Sequence, residues 1–393
     1  MATGGGTRSM TSMYGHLLGL QKLNLLDCAS YITGLSGATW TMATLYRDPD
    51  WSSKNLEPAI FEARRHVVKD KLPSLFPDQL RKFQEELRQR SQEGYRVTFT
   101  DFWGLLILLF NHFVSPQRNE CKLSDQRAAL SCGQNPLPIY LTINVKDDVS
   151  NQDFREWFEF SPYEVGLQKY GAFIPSELFG SEFFMGRLVK RIPESRICYM
   201  LGLWSSIFSL NLLDAWNLSH TSEEFFHRQP CGASHRQSGD STSHDLPFIP
   251  PSPAEDEPIL PEIPKCDANI LETTVVIPGS WLSNSFREIL THRSFVSEFH
   301  NFLSGLQLHT NYLQNGQFSR CVGNGKAWLS DTVLDGFPNQ LTESANHLCL
   351  LDTAFFVNSS YPPLLRPERK ADLIIHLNYC AGSQTKATPE TNL

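Results

Sequence analysis

Residues 31–40 read YITGLSGATW. Tyr31, Ile32 and Thr33 are strand formers, and the residues after Gly37 favour a helix, so the stretch predicts a strand that turns directly into a helix. Gly34, Ser36 and Gly37 stand at the junction. A serine in such a turn is either an ordinary turn residue or a nucleophile displayed at a helix N-terminus. Outward from the turn, CASYITGLSG reads as a short buried strand, and ATWTMATLYRD as the helix that leaves it. On the N-terminal side, residues 10–27 set Met10, Met13, Tyr14, Leu17 and Leu18 on one helical face. Downstream, the charged residues 57–94 read as one or two surface helices. LPIYLTINVKDD (137–148) is the clearest strand, DLIIHLNYCAG (372–382) a further one, and ETTVVIPG (272–279) a weaker third. This alternation predicts an α/β fold.

Composition narrows the function. The 393 residues allow about two or three domains. With 41% apolar residues and 26 phenylalanines, the chain has the material for a large core. The net charge of −8, without a basic run, argues against nucleic acid as a partner and against simple electrostatic attraction to anionic lipid. Nine scattered cysteines, an odd number with no CxxC pair, read as reduced thiols of a cytoplasmic protein; they form neither a disulfide framework nor a zinc site. No signal peptide is visible at the start of the sequence. The most apolar window, FWGLLILLFNHFV (102–114), is too short to span a bilayer and predicts a buried helix. Residues 229–264 carry eight prolines among small polar residues and predict a disordered insertion into one α/β body.

Three stretches could carry chemistry: TGGGTRSM (3–10), GLSGAT (34–39) and LLDTAFF (350–356). A glycine triplet ahead of a helix can aim several N–H groups at one anion. A GxSG turn can expose a hydroxyl, and an aspartate after an apolar run can serve as a base or merely cap a helix. Singly, none of the three is specific.

Together with LDCASYITGLSGATWTMATLY, TFTDFWG, FEFSPYEVGLQKYGAFIPSELFGSEFFMG and LLRPERKADLII, in this order, they resemble the catalytic domain of the cytosolic (group IV) phospholipase A2 family. The resemblance implies a patatin-like fold, with a central mostly parallel sheet, helices on both faces and the 229–264 insertion as a flexible lid. It implies a serine–aspartate dyad of Ser36 and Asp352, oxyanion donors at Gly5, Gly6 and Gly37, and phosphate-binding arginines at Arg8 and Arg369. The activity implied is release of the sn-2 fatty acid from glycerophospholipid membranes through an acyl-serine, leaving a lysophospholipid. An amine or a lysolipid in place of water would make the enzyme an acyltransferase. Localisation is expected to be cytoplasmic, with peripheral association with intracellular membranes.

The sequence also departs from the family pattern. The glycine triplet follows Met1 so closely that the strand leading into it is expected to be missing, and the chain reads as a partial catalytic domain (1–393), short at both ends. No C2 module is evident, so the calcium that family members bind there is not expected as a cofactor, and no metal ligands are expected. Ala38 and Ala354 replace the serine and glycine usual at those positions. Two other readings compete: an α/β-hydrolase triad of Ser36, Asp352 and His376, which has that superfamily's chain order, and a non-catalytic lipid-binding isoform.

Overall fold

The computed structural model describes residues 1–68, 77–110, 120–146, 156–206, 296–306 and 345–379, except 355, 356 and 367, together with residue 342. The expected insertion at 229–264 and the weak strand at 272–279 lie outside the described residues.

Helix α1 (Thr7–Lys22) comes first, followed by strand β1 (Tyr31–Gly34) and helix α2 (Gly37–Leu45). On α1, Met10, Met13, Tyr14 and Leu17 are buried, which is the face set by the sequence periodicity. Nearly all of α2 is buried, in keeping with its run of small and apolar residues. The charged region forms two outer helices, α3 (Glu57–Val68) and α4 (Pro77–Gln92). The apolar window becomes α5 (Phe99–Phe110) and packs on α6 (Ile197–Trp204). Glycines let these two helices cross closely: a Cβ on Gly104 would lie 2.3 Å from the Cys198 oxygen, and one on Gly202 would lie 2.1 Å from the Thr100 oxygen. Among the described residues no helix is long and apolar enough to cross a membrane.

The remaining strands are β2 (Leu137–Val145), β3 (Glu156–Phe160), β4 (Glu164–Leu167), β5 (Ala172–Pro175), β6 (Glu182–Phe184), β7 (Arg187–Lys190), β8 (Ser297–His300) and β9 (His347–Leu351). The main sheet runs β5-β4-β3-β2-β9-β8, and β1 also pairs with β2. The expectation of a mostly parallel sheet needs correction for the described strands, because among them only the β1–β2 ladder is parallel and the others are antiparallel. The cause is connection length. A parallel pair requires a long crossover, supplied here by the helices between β1 and β2, whereas β3, β4 and β5 follow one another through short turns.

Side chains alternate across the sheet. Tyr140, Phe158, Phe160, Leu348 and Leu350 join the large core with α2, α5 and α6, while Ile143, Val145 and Leu351 form a smaller cluster with Val296. The Trp204 ring, at the end of α6, stacks on Tyr140 with centroids 4.1 Å apart.

One further expectation is corrected here. DLIIHLNYCAG is not a regular strand among its described residues; it is an extended segment with one parallel bridge, Ala2 to Leu377, and Leu373 and Ile375 are exposed. Its apolar alternation matches a strand, but among the described residues its ladder is limited to that bridge to Ala2. Ahead of the glycine triplet the described residues form no regular strand, only that bridge at Ala2. Ala2 N–H donates to the Thr33 oxygen at 2.9 Å, and Thr3 N–H donates to the Leu377 oxygen at 3.1 Å.

Candidate active site

The edge of β2 explains the position of the site. Its first half pairs with β1, up to Gly34 opposite Tyr140, and its second half pairs with β9, which ends at Leu351 opposite Ile143. The C-terminal ends of β1 and β9 therefore meet head to head, separated by the width of Leu141 and Thr142. Ser36 follows one end and Asp352 follows the other, so sheet register alone brings them into one gap.

Ser36 has φ 50° and ψ −131°, an unfavourable backbone conformation for a residue with a side chain. Hydrogen bonds hold it there. Its N–H donates to the Trp204 oxygen at 3.0 Å, and its carbonyl accepts from the Thr39 N–H at 3.0 Å and the Thr39 hydroxyl at 2.6 Å. The stack of Trp204 on Tyr140 thus ties the turn to the core. Gly37 has no room for a side chain, since a Cβ would sit 2.0 Å from the Gly6 oxygen. A Cβ on Gly4 would be 2.8 Å from each of Ser36 Cβ, Ala354 Cβ and Asn358 Oδ1. The glycine triplet, the serine turn and the segment after β9 are consequently in direct contact.

Asp352 is buried, with no cation beside it among the described residues. Oδ1 accepts from the Ala354 N–H at 2.9 Å, while Oδ2 is buried without a hydrogen-bond partner. Burial raises its pKa to about 7, opposed by the Ala354 N–H and by the nearby Ser36 hydroxyl. The hydroxyl is close enough to affect the carboxyl, yet the two do not form a hydrogen bond of normal geometry. Such looseness is usual for a proton-transfer pair without substrate. His376 hydrogen-bonds neither residue, so the triad reading finds no bridging imidazole here.

Gly5 and Gly6 have φ of 147° and 57°, and their N–H groups, like that of Gly37, have no hydrogen-bond partner among the described residues. Gly6 precedes α1, whose first turn starts with Met10 N–H donating to the Gly6 oxygen at 3.0 Å. Arg8 is exposed in that turn and makes no ion pair among the described residues; its Nε–H donates to the Tyr379 oxygen at 2.8 Å. Arg369, expected as a phosphate ligand, is buried and forked onto Glu159 at 2.7 and 2.9 Å, and Arg366 binds the same carboxylate at 2.9 Å. Three of the five N–H groups of Arg369 are engaged, two by Glu159 and one by the Pro363 oxygen at 2.9 Å.

The sequence reading missed Asn358, whose Oδ1 accepts from the Gly4 N–H at 2.6 Å, and Ser360, whose hydroxyl joins Thr33 Oγ1 at 2.8 Å and the Ala2 backbone. The only signal was their closeness to Asp352 in the chain, since NSSY resembles any polar loop. Among the described residues no group of three or more His, Cys, Asp or Glu side chains could hold a metal ion.

A family model described as the lysophospholipase catalytic domain matches residues 1–262. Human cytosolic phospholipase A2 epsilon is 88% identical over all of this chain, and the match covers 42% of that protein. The chain belongs to the cytosolic phospholipase A2 family. A structure of human GIVD cytosolic phospholipase A2, 44% identical, superposes with a TM-score of 0.66 over 97% of this chain and 42% of that one. The same human enzyme in complex with methyl gamma-linolenyl fluorophosphonate and terbium chloride gives a TM-score of 0.57 at 38% identity, over 97% and 40% of the two chains. The patatin-like fold of the family is therefore the fold of this chain, which spans less than half the length of these relatives.

Proposed function

We propose that the chain carries a phospholipid acyl hydrolase site in which Ser36 is the nucleophile and Asp352 its base. The observation that carries this is the meeting of β1 and β9, which sets a strained serine beside a buried carboxyl with a free oxygen and no cation. A serine hydroxyl needs a base to become nucleophilic, and a base works best with a pKa near the operating pH. Burial has moved Asp352 into that range.

In the reaction, Ser36 Oγ attacks the sn-2 carbonyl carbon and its proton passes to Asp352. The oxyanion that forms is held by N–H groups of Gly5, Gly6 and Gly37, each worth about 3–4 kcal/mol when preorganised. The bond to the glycerol oxygen then breaks, Asp352 returns the proton to that oxygen, and lysophospholipid leaves. Water hydrolyses the acyl-serine by the same steps in reverse. An amine or a lysolipid in place of water would transfer the acyl chain instead. Arg8, without an acidic partner among the described residues, suits the substrate phosphate through its planar fork. Arg369 is structural in this scheme. The fluorophosphonate complex of the GIVD relative supports a serine-based mechanism, because such reagents phosphonylate activated serines. The names of the relatives support a cytoplasmic enzyme, and its peripheral meeting with membranes is part of this proposal.

The test is acyl release from mixed phospholipid vesicles by the 393-residue protein and by Ser36→Ala. Release by the parent, lost in the variant, is expected; equal release by both would refute the assignment.

A further inference from the structure

Away from the site, β6 and β7 form a two-stranded ribbon of their own. Such a ribbon is marginal in water unless it packs on something, and every residue of β7 is exposed. Phe184, Met185 and Val189 expose 56%, 61% and 66% of their surface, and Leu188 exposes 42%. Single exposed apolar residues are ordinary, but four within six residues mark a binding surface.

The tip is built to hold this shape. Phe184 faces Arg187 across a two-residue turn, with φ of 50° at Met185 and 74° at Gly186. Asparagine or glycine is usual at the first of these positions, so methionine there keeps an apolar group exposed at some backbone cost. Met185 N–H donates to the Ser304 oxygen at 2.8 Å. Gly305 admits no side chain, since a Cβ would lie 2.9 Å from the Phe184 ring.

Charge indicates what the ribbon meets. The chain carries −8 overall, yet residues 182–191 hold Arg187, Lys190 and Arg191 against Glu182 alone. Lys190 pairs with Glu182 at 3.0 Å, and Arg187 and Arg191 form no ion pair among the described residues. The strand register indicates where this surface lies. His300, the last residue of β8, faces His347 at the start of β9, and the ribbon rests on Ser304 and Gly305 just beyond. β1, parallel to β2, runs toward this end of the sheet, with β9 lying between it and Ser36.

We propose that the β6–β7 ribbon docks the enzyme on an anionic bilayer, with Phe184, Met185, Leu188 and Val189 entering the interface and Arg187 and Arg191 meeting anionic headgroups. The proposal rests on the reading of the chain as a phospholipid hydrolase and names the surface through which that site meets its substrate phase. The two contributions differ in kind. Apolar insertion follows buried area whatever the headgroup, whereas the arginine contribution needs anionic lipid and weakens with salt.

The experiment is co-sedimentation of the 393-residue protein with vesicles of phosphatidylcholine alone or with about a third phosphatidylserine. Met185→Asn with Val189→Thr keeps the turn and strand preferences and should weaken binding to both vesicle types by about tenfold. Arg187→Gln with Arg191→Gln should weaken binding about tenfold or more on the anionic vesicles only, and high salt should abolish that difference. Fluorophosphonate labelling of Ser36 and hydrolysis of a soluble short-chain ester should match the parent in both variants. Vesicle binding unchanged in both variants overturns the proposal. So does a parent that self-associates through the ribbon, with Met185→Asn/Val189→Thr abolishing association and leaving vesicle binding intact. If the expected binding pattern appears with a parent that hydrolyses no ester, docking stands and the enzymatic reading fails.

Discussion

Asp352 and Glu159 are both buried carboxylates, 1% and 5% exposed, and their surroundings are opposite. Glu159 is clamped by Arg366 and Arg369, so its charge is compensated and its oxygens are occupied. Asp352 has one backbone N–H, a nearby serine hydroxyl and an oxygen without a partner. Burial alone does not mark a functional acid. What sets Asp352 apart is burial without compensation, a condition that destabilises the fold and gives the group a proton affinity suited to catalysis.

The comparison can be broken most forcefully at these two residues. Ser36→Ala should abolish fluorophosphonate labelling and acyl release and leave the fold intact. Asp352→Asn should lower turnover about a thousandfold or more. In the same variant, unfolding free energy at about pH 8 should rise by about 1 kcal/mol or more, because a neutral amide replaces an uncompensated charge. Glu159→Gln should do the reverse, costing about 3–5 kcal/mol of stability as the paired guanidinium groups lose their counter-charge, with turnover per folded molecule near that of the parent. Denaturant unfolding beside active-site titration separates these outcomes. A stabilised Glu159→Gln would contradict the contrast.

The arginines sharpen it with smaller effects. Arg8→Lys keeps the charge and loses the fork, so kcat/KM on phospholipid should fall about tenfold or more with Tm unchanged. Arg369→Lys should lower Tm by several degrees through the lost bidentate contact to Glu159, with little change in kcat/KM. The smallest effect is expected for His376→Asn, within about 0.5 kcal/mol in stability and without measurable loss of labelling.

What the sequence made legible follows from local chemistry. Strand β1, the turn at Ser36 and α2 are written in residues close together, as is the apolar face of α1, and all were readable. The family resemblance reached Asp352, but its convergence with Ser36 depends on which halves of the β2 edge take β1 and β9. That pairing is non-local, and no nearby residue encodes it. The mostly parallel sheet that the resemblance implied differs from the described strands for a similar reason, since the short turns linking β3, β4 and β5 impose antiparallel neighbours. The Glu159 partner of Arg369 was not legible because the motif fixes the residue type and not its partner, and Glu159 lies on a strand more than two hundred positions away. Asn358 and Ser360 were missed because a polar loop looks the same whether or not it braces a glycine triplet.

The pH dependence of the Ser36–Asp352 pair gives the most direct test. Folded Asp352 keeps its proton up to about pH 7, whereas the unfolded chain releases it near the ordinary 3.8. Its contribution to stability is therefore complete below the lower value, declines as pH rises between the two, and is lost above about 7. The base acts only when deprotonated, so activity should climb over the range in which this stability has declined. The measurement is the rate of fluorophosphonate labelling of Ser36 from about pH 5 to about pH 9, in the parent, Asp352→Asn and His376→Asn. The account predicts an inflection near 7 in the parent and in His376→Asn, and in Asp352→Asn a rate about a thousandfold lower with no inflection. An inflection that survives in Asp352→Asn, or that disappears in His376→Asn, would contradict it.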